Sequence, residues 1–265
     1  MTKITERAAN ARRRLEKLRA VAGSTVLLAA ASLLLAPATQ AAKDEWSFGI
    51  GTGLSLLSLD GDVGAPLEGG GRIFDLDLGN DDTADAFESA FGFASFANKG
   101  RWTIHLGYAT LKLEDSDSGV DAEWDRAEGN LAAEYMFYQA GKNQFGVLAG
   151  IRYYDHDWDV KLKDTNEQTK PDDDWTDGVI GLTHRVPFAK TWAWTNRAEY
   201  MGGDSEGGFT VQTALNWKPY EHWVFTGGVR YQDLEYGDKG DIDKSDFYYY
   251  DVDETTINLG FMYVW

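Results

Sequence analysis

The sequence ends in TTINLGFMYVW (residues 255–265), where large apolar side chains alternate with small or polar ones. The apolar positions are Ile257, Leu259, Phe261, Tyr263 and Trp265. A period of two predicts a β-strand with one apolar face. In water such a stripe would be an aggregation hazard, so we expect this face to contact an apolar medium.

The same alternation recurs through the rest of the chain. In WSFGIGTGLSLL (46–57), apolar residues and Thr52 alternate with glycine and serine, so the second face has almost no side-chain volume. Six more segments alternate clearly: 101–112, 131–138, 144–154, 191–200, 208–217 and 222–231. Two alternate weakly, 86–97 and 175–186, and in the second Val179 and Ile180 compete for the apolar face. With 255–265, these segments predict about ten strands.

The connections between these segments alternate in length. Short turns are expected at 98–100, 140–143, 186–190 and 218–222, and longer polar loops at 58–85, 114–123, 157–174, 202–207 and 236–246. Tryptophans lie at strand ends, as expected for aromatic girdles at both membrane interfaces: Trp46, Trp102, Trp192, Trp217, Trp223 and Trp265. The pattern predicts an all-β fold, a transmembrane antiparallel β-barrel with short periplasmic turns and longer extracellular loops. Eight strands remain the alternative, because the long first loop obscures the count.

Residues 1–42 differ in kind from the rest. A basic start is followed by the apolar run 21–36 and by small residues over 36–42. This layout predicts a secretory signal peptide, with cleavage after Ala42 favoured over Ala38 or Ala41. An uncleaved membrane anchor is the alternative. Residues 43–265 are then a single barrel domain.

The composition argues against nucleic-acid binding and against a fold stabilised by disulfides. The chain has 265 residues, a formal net charge of −18 and no cysteine. Residues 1–42 hold 7 of the 25 basic residues but only 2 of the 43 acidic ones, so the remainder is more acidic still. Phosphates would repel such a chain, which argues against binding nucleic acid. Without disulfides, a closed hydrogen-bonded sheet is the expected source of stability.

The C-terminal residues Asn258, Gly260, Tyr263 and Trp265 form the pattern Asn-x-Gly-x-x-Tyr-x-Trp. This pattern resembles the C-terminal assembly signal of Gram-negative outer-membrane β-barrels. The resemblance extends to small porin-like, OmpA-type and OmpW-type barrels at the level of the class. It implies an outer-membrane location, contact with membrane lipids and lipopolysaccharide, and recognition by the barrel-assembly machinery.

Charged residues also fall on the predicted lumen face. They are His105, Glu128, Glu134, Arg152, Arg197, Glu199 and Arg230, accompanied by Tyr154. Three acids and three arginines suggest a paired network that braces the barrel, whereas a lumen of one sign would favour selective conduction. We therefore expect an integral membrane protein of structural or narrow-pore type. Binding or adhesion through the surface loops is the alternative.

Catalysis and metal binding have weaker signals. His156 is the nearest catalytic candidate because Asp155, Asp157 and Asp159 surround it, but a solvated strand end explains this string equally well. We predict no enzyme and no cofactor. The acidic loop 237–246 contains Asp238, Asp241, Asp243 and Asp246 but lacks the EF-hand pattern. A solvated loop is the favoured interpretation and weak binding of divalent cations is the alternative, so no resident metal site is predicted.

Overall fold

The alternating segments form long antiparallel strands in a computed structural model. The structure describes residues 45–67, 70–79, 82–83, 86–116, 120–163, 167–244 and 247–265, so the predicted signal peptide lies outside it. The strands are β1 (Ser47–Ala65), β2 (Arg72–Leu78), β3 (Phe87–Lys99), β4 (Trp102–Ser116), β5 (Val120–Ala140), β6 (Asn143–Leu162), β7 (Gln168–Thr169), β8 (Asp172–Pro187), β9 (Trp192–Gly203), β10 (Gly207–Trp217), β11 (Trp223–Tyr236) and β12 (Tyr249–Val264). A single short 3₁₀ helix in the described ranges spans Lys239–Asp241. No helix among the described residues has the length and apolarity required to cross a bilayer.

Ten of these strands close into a barrel. Each pairs with its neighbour in the order β1, β3, β4, β5, β6, β8, β9, β10, β11 and β12, and β12 returns to β1. The closing ladder runs from Gly49–Val264 to Gly64–Tyr249. β2 and β7 are accessory strands that pair with β1 and β6. The predicted ten-strand barrel is confirmed, and closure removes the exposed edge of the C-terminal strand.

The outer face is apolar, as the alternation predicts. The stripe from Ile257 to Trp265 is exposed on the outside, while Asn258 and Met262 are buried inside. The structure also assigns the outward face of the segment 175–186. Ile180 points outward and is 63% exposed, whereas Val179 points inward and is 5% exposed. Val179 belongs to the buried cluster that contains Tyr154 and Trp175. Packing in the lumen therefore decides a face that the sequence left open.

The two ends of the barrel differ in their aromatic residues. All six tryptophans named above lie at or beside the short turns, rather than at both interfaces. At the opposite end the exposed belt is made of Tyr108, Tyr153, Tyr200 and Phe209. The prediction that these tryptophans mark both girdles is therefore wrong. The six tryptophans belong to one girdle, together with residues such as Tyr138 and Tyr263, and the other girdle contains tyrosine and phenylalanine.

The strands also extend beyond this second belt. β1, β5 and β6 have 19, 21 and 20 residues, about twice the length needed to span a membrane. Much of the loop predicted over 114–123 and 157–174 is therefore strand. The reason lies in inward aromatic residues such as Trp124 and Trp175, which continue the alternation past the membrane.

The glycine-rich face of β1 permits close approach of β12. A Cβ atom on Gly51 would lie 2.3 Å from the Phe261 carbonyl oxygen, and one on Gly53 would lie 2.6 Å from the Leu259 carbonyl oxygen. The sequence suggested only that a small face suits a crowded interior. The structure gives the specific cause, which is contact between the backbones at the closing seam.

Two rows of carboxylates cross the outer surface above the apolar belt. Direct pairing places Asp233, Asp253, Asp60 and Asp77 in one row, and Glu235, Asp251, Asp62 and Asp75 in the other. Facing like charges destabilise a sheet. Partial burial raises the pKa of Asp233, with Asp253 adding to the effect, and partial burial together with Asp251 raises the pKa of Glu235.

Because of these carboxylates, we expect the folded protein to be more stable at acid pH. Because the pKa values of Asp233 and Glu235 are higher in the folded state, the folded protein binds more protons, and stability falls as pH rises through the range in which these two groups titrate. We expect the melting temperature of the wild type to gain roughly 2–4 °C, relative to an Asp251→Asn, Asp253→Asn variant, between pH 7.5 and pH 4.5. Thermal unfolding in detergent measures this. If the melting temperatures of the two proteins changed in parallel with pH, the prediction would be wrong. Any opposing effect of buried histidines is common to both proteins and cancels in the comparison.

Candidate functional site: the lumen

The end of the lumen near the short turns contains a buried carboxylate with several cationic partners. Glu134 on β5 is 0% exposed. Its Oε2 atom lies 2.8 Å from Nε2 of His105, 3.1 Å from Nη2 of Arg185 and 3.9 Å from Nη2 of Arg197. Its Oε1 atom accepts a hydrogen bond of 2.8 Å from the hydroxyl of Thr183. We call these five residues the lower cluster.

A second network, the upper cluster, lies nearer the long loops. Its members are Arg126, Glu128, Arg152, Glu199, Arg230 and Glu254. Glu128 lies 3.2 to 3.4 Å from Arg126, Arg152 and Arg230. Arg152 also donates to Glu199 at 2.7 Å. Multiple partners of opposite charge compensate for the removal of these groups from water.

Arg197 connects the two clusters. Its Nη1 atom lies 3.5 Å from Oε1 of Glu199, while its Nη2 atom faces Glu134. A continuous chain of ion pairs therefore runs along the lumen from Arg185 to Glu254. The structure brings all seven predicted lumen residues into this chain.

Sequence reasoning missed three members of the chain. Arg126 and Glu254 share the alternation phase of Glu134 and Asn258, but the predicted strands began after them. Arg185 was missed because the inward face of its segment was not assigned. Extending the alternation outward along β5 and β12 would have found the first two.

An aromatic layer covers the upper cluster. The rings of Tyr154 and Tyr236 stack on Trp175, with centroid distances of 4.9 and 4.3 Å. Beside them, Trp124 and Trp158 stack at 4.6 Å. The layer fills the barrel above the ion pairs with large rigid rings.

His156 lies within this aromatic layer. Its Nδ1 atom is 2.9 Å from the hydroxyl of Tyr248, and burial, with a contribution from Arg126, holds its pKa well below the usual value. The neighbouring Asp155 and Asp157 point outward because the strand alternates. Among the described residues no carboxylate hydrogen-bonds this imidazole, and its partner is the Tyr248 hydroxyl.

Side chains fill the lumen at the level of the upper cluster and the aromatic layer. Tyr154 is 0% exposed, Trp175 is 1% exposed and Arg152 is 2% exposed, although all three point into the barrel. A water-filled channel would leave the side chains that line it accessible. In a ten-strand barrel the interior is narrow enough for side chains to fill it.

Two carboxylates of the acidic loop have partners within the loop. Asp238 accepts from the backbone N–H of Gly240 at 2.8 Å, and Lys244 lies 2.7 Å from Asp241. Asp246 lies outside the described residues. The described part of the chain has no group of three potential metal ligands. Weak divalent binding at the acidic loops stays a prediction.

The C-terminal signal residues divide between the two faces of β12. Asn258 is buried and accepts a 2.6 Å hydrogen bond from Ser55, and Gly260 faces Gly53 across the seam. Tyr263 and Trp265 point outward and stack with centroids 5.9 Å apart. Their role in assembly stays a prediction.

No protein-family model matches the sequence, and no curated protein does either. The fold is similar to the crystal structure of the outer membrane protease OmpT from Escherichia coli, with a TM-score of 0.54 at 9% identity, covering 86% of this chain and 99% of that one. Ail, the attachment invasion locus protein of Yersinia pestis, gives a TM-score of 0.33 at 9% identity, covering 83% of this chain and 99% of that one. At these identities the likeness concerns architecture alone. Together with the closed ten-strand barrel, it gives this chain the fold of an outer-membrane β-barrel protein.

Proposed function

We propose that this protein is an integral outer-membrane barrel with a sealed lumen, whose role is structural and not that of an open pore. The observation that carries the proposal is the burial of inward residues such as Glu134, Tyr154 and Trp175. An ion-pair chain and an aromatic layer lie in series across the lumen. A solute that passed along the axis would have to displace both.

We also propose a route by which the protein reaches the outer membrane and the partners that it meets there. A cleaved signal peptide would carry the chain across the inner membrane, and the C-terminal residues would engage the assembly machinery. Lipids and lipopolysaccharide would then cover the apolar belt, while no nucleic acid partner and no enzymatic activity are expected.

The rim of long strands above the belt supports a second candidate, surface binding, because it presents a rigid acidic face.

The sealed lumen predicts little conduction. We expect the refolded wild type to give no swelling of liposomes in small sugars and no steady current in planar bilayers. Arg152→Ala combined with Trp175→Ala should produce measurable current, because the two changes remove one side chain from the ion-pair chain and one from the aromatic layer. Lys112→Ala, on the outer surface, is the matched control. Sugar uptake by the wild type would overturn the sealed lumen in favour of a narrow pore.

A further inference from the structure

The ladder between β1 and β3 is short. It includes five residue pairs, from Ser47–Asn98 to Gly51–Ala94. By contrast, β1 pairs with β12 over sixteen residues, from Gly49–Val264 to Gly64–Tyr249. Among the described strands of the barrel wall, no other neighbouring pair has so short a ladder.

Above this ladder the two strands share no further backbone pairs. They are still joined one step higher by a side-chain bond, in which the Thr52 hydroxyl donates to the Gly92 carbonyl at 2.7 Å. β2 joins β1 only from the pair Leu59–Leu78 upward. Residues 52–58 of β1 and 87–93 of β3 therefore face each other outside any shared ladder. We call this region the β1–β3 gap.

The gap lies within the apolar belt. Leu54 and Leu56 of β1 point outward and pair with Leu259 and Ile257, both of which are exposed on the lipid face. Hydrocarbon does not supply hydrogen bonds, so an interrupted ladder at this depth is a weak point in the wall. It faces the half of the membrane nearer the long loops.

Apolar side chains lie behind the gap. The inward positions that flank it are small, including Gly53 and Gly92. Further in, Leu57, Leu59 and Leu113 belong to the buried apolar cluster of the upper lumen. These leucines are packed, so an alkyl chain that entered between the strands would have to displace part of this packing, and it would then contact an apolar interior.

The surroundings of the gap are acidic. Asp60 and Asp77 pair across β1 and β2 on the outer surface, and Glu88 lies at the start of β3. Lys112 is close by, but it is shared among Glu88, Glu114 and Glu123 at 2.7 to 3.5 Å. A negative rim favours a cationic head group over a carboxylate.

We propose that the β1–β3 gap is a lateral binding site for a cationic amphiphile of the outer leaflet. Its alkyl chain enters between the two strands and contacts Leu57, Leu59 and Leu113, and its head group stays beside the acidic rim. Burial of the chain in the apolar cluster supplies the affinity. This site goes beyond the proposed structural role and does not depend on conduction along the axis.

A removable cross-link tests the site. The chain has no cysteine, so Leu54→Cys with Phe91→Cys introduces a single pair, at positions that would face each other if the ladder continued beyond Gly51–Ala94. The pair is joined by a disulfide or by a short reducible bis-thiol reagent, and thiol titration verifies closure. The matched control is Leu106→Cys with Leu131→Cys, which are paired and exposed across the fully laddered β4–β5 seam.

The readout is photolabelling in liposomes with a long-chain alkylammonium that has a diazirine at the end of its chain. We expect label on peptides that contain Leu57, Leu59 or Leu113, a loss of about tenfold when the gap is cross-linked, and recovery after reduction. The control cross-link should leave labelling unchanged. A fatty acid of equal length should label several-fold less.

Three results would overturn the proposal. Labelling confined to outward residues would show that the chain stays on the lipid face. Equal labelling with the gap closed would exclude passage between β1 and β3, and equal labelling by the fatty acid would remove the assignment of the head group. Because none of these readouts depends on ion current, failure here is distinguishable from failure of the sealed lumen.

Discussion

Replacing Glu134 by alanine is expected to lower the free energy of unfolding by about 3–5 kcal/mol, one of the largest effects of any single substitution in this protein. The carboxylate is fully buried and faces Arg185, Arg197 and His105. Its removal leaves Arg197 with Glu199 as a partner, and leaves Arg185 without a carboxylate partner among the described residues. An unpaired buried charge costs far more than the pair itself contributes.

Urea-induced unfolding in detergent, followed by tryptophan fluorescence, measures this loss. Glu134→Gln keeps the shape and an acceptor for Thr183 but not the charge, so we expect an intermediate value. Glu114→Ala is the control, because that carboxylate is about half exposed and should change stability by less than about 0.5 kcal/mol. If Glu134→Ala were as stable as the wild type, the two arginines would have to be solvated, and the sealed lumen would be wrong as well.

The architecture was accessible from the sequence because lipid imposes a strict period of two. Every spanning strand must present apolar residues outward, so segments such as 101–112 and 222–231 could be assigned to a face directly. The C-terminal stripe supplied the same information and also explained how the sheet closes. These signals are local, and each strand contains its own.

The lumen was only partly accessible, because its contacts join residues far apart in sequence. Alternation placed Glu134 and Arg197 on the inner face, but it could not show that they meet or that Arg185 joins them. The β1–β3 gap could not be read from the pattern, since 46–57 alternates clearly and 86–97, although weaker, still predicts a strand. Where a ladder stops depends on the tilt of neighbouring strands, which local patterning does not encode.

The closing seam gives the second large effect. Gly51→Val is expected to destabilise the barrel by about 3 kcal/mol, because a Cβ at this position would lie 2.3 Å from the Phe261 carbonyl oxygen. Backbone cannot move aside as a flexible side chain can, so β12 would have to shift along its ladder with β1. Intrinsic preference acts in the opposite direction, since valine favours strands and glycine does not. The sign of the change therefore separates steric contact from propensity.

Gly129→Val is the matched control for this substitution. Gly129 also lies within a long strand, but its nearest neighbours, Tyr108 and Tyr153, are 3.9 Å from the Cβ position. There we expect no loss, or a small gain from the strand preference of valine. Urea midpoints and the fraction that migrates as the compact form in unheated SDS gels measure both variants. Equal behaviour of the two would mean that β12 can yield at the seam, and the glycines of β1 would then need another explanation. A loss of stability in Gly51→Val but not in Gly129→Val would show that closure of the barrel requires a residue without a side chain at position 51.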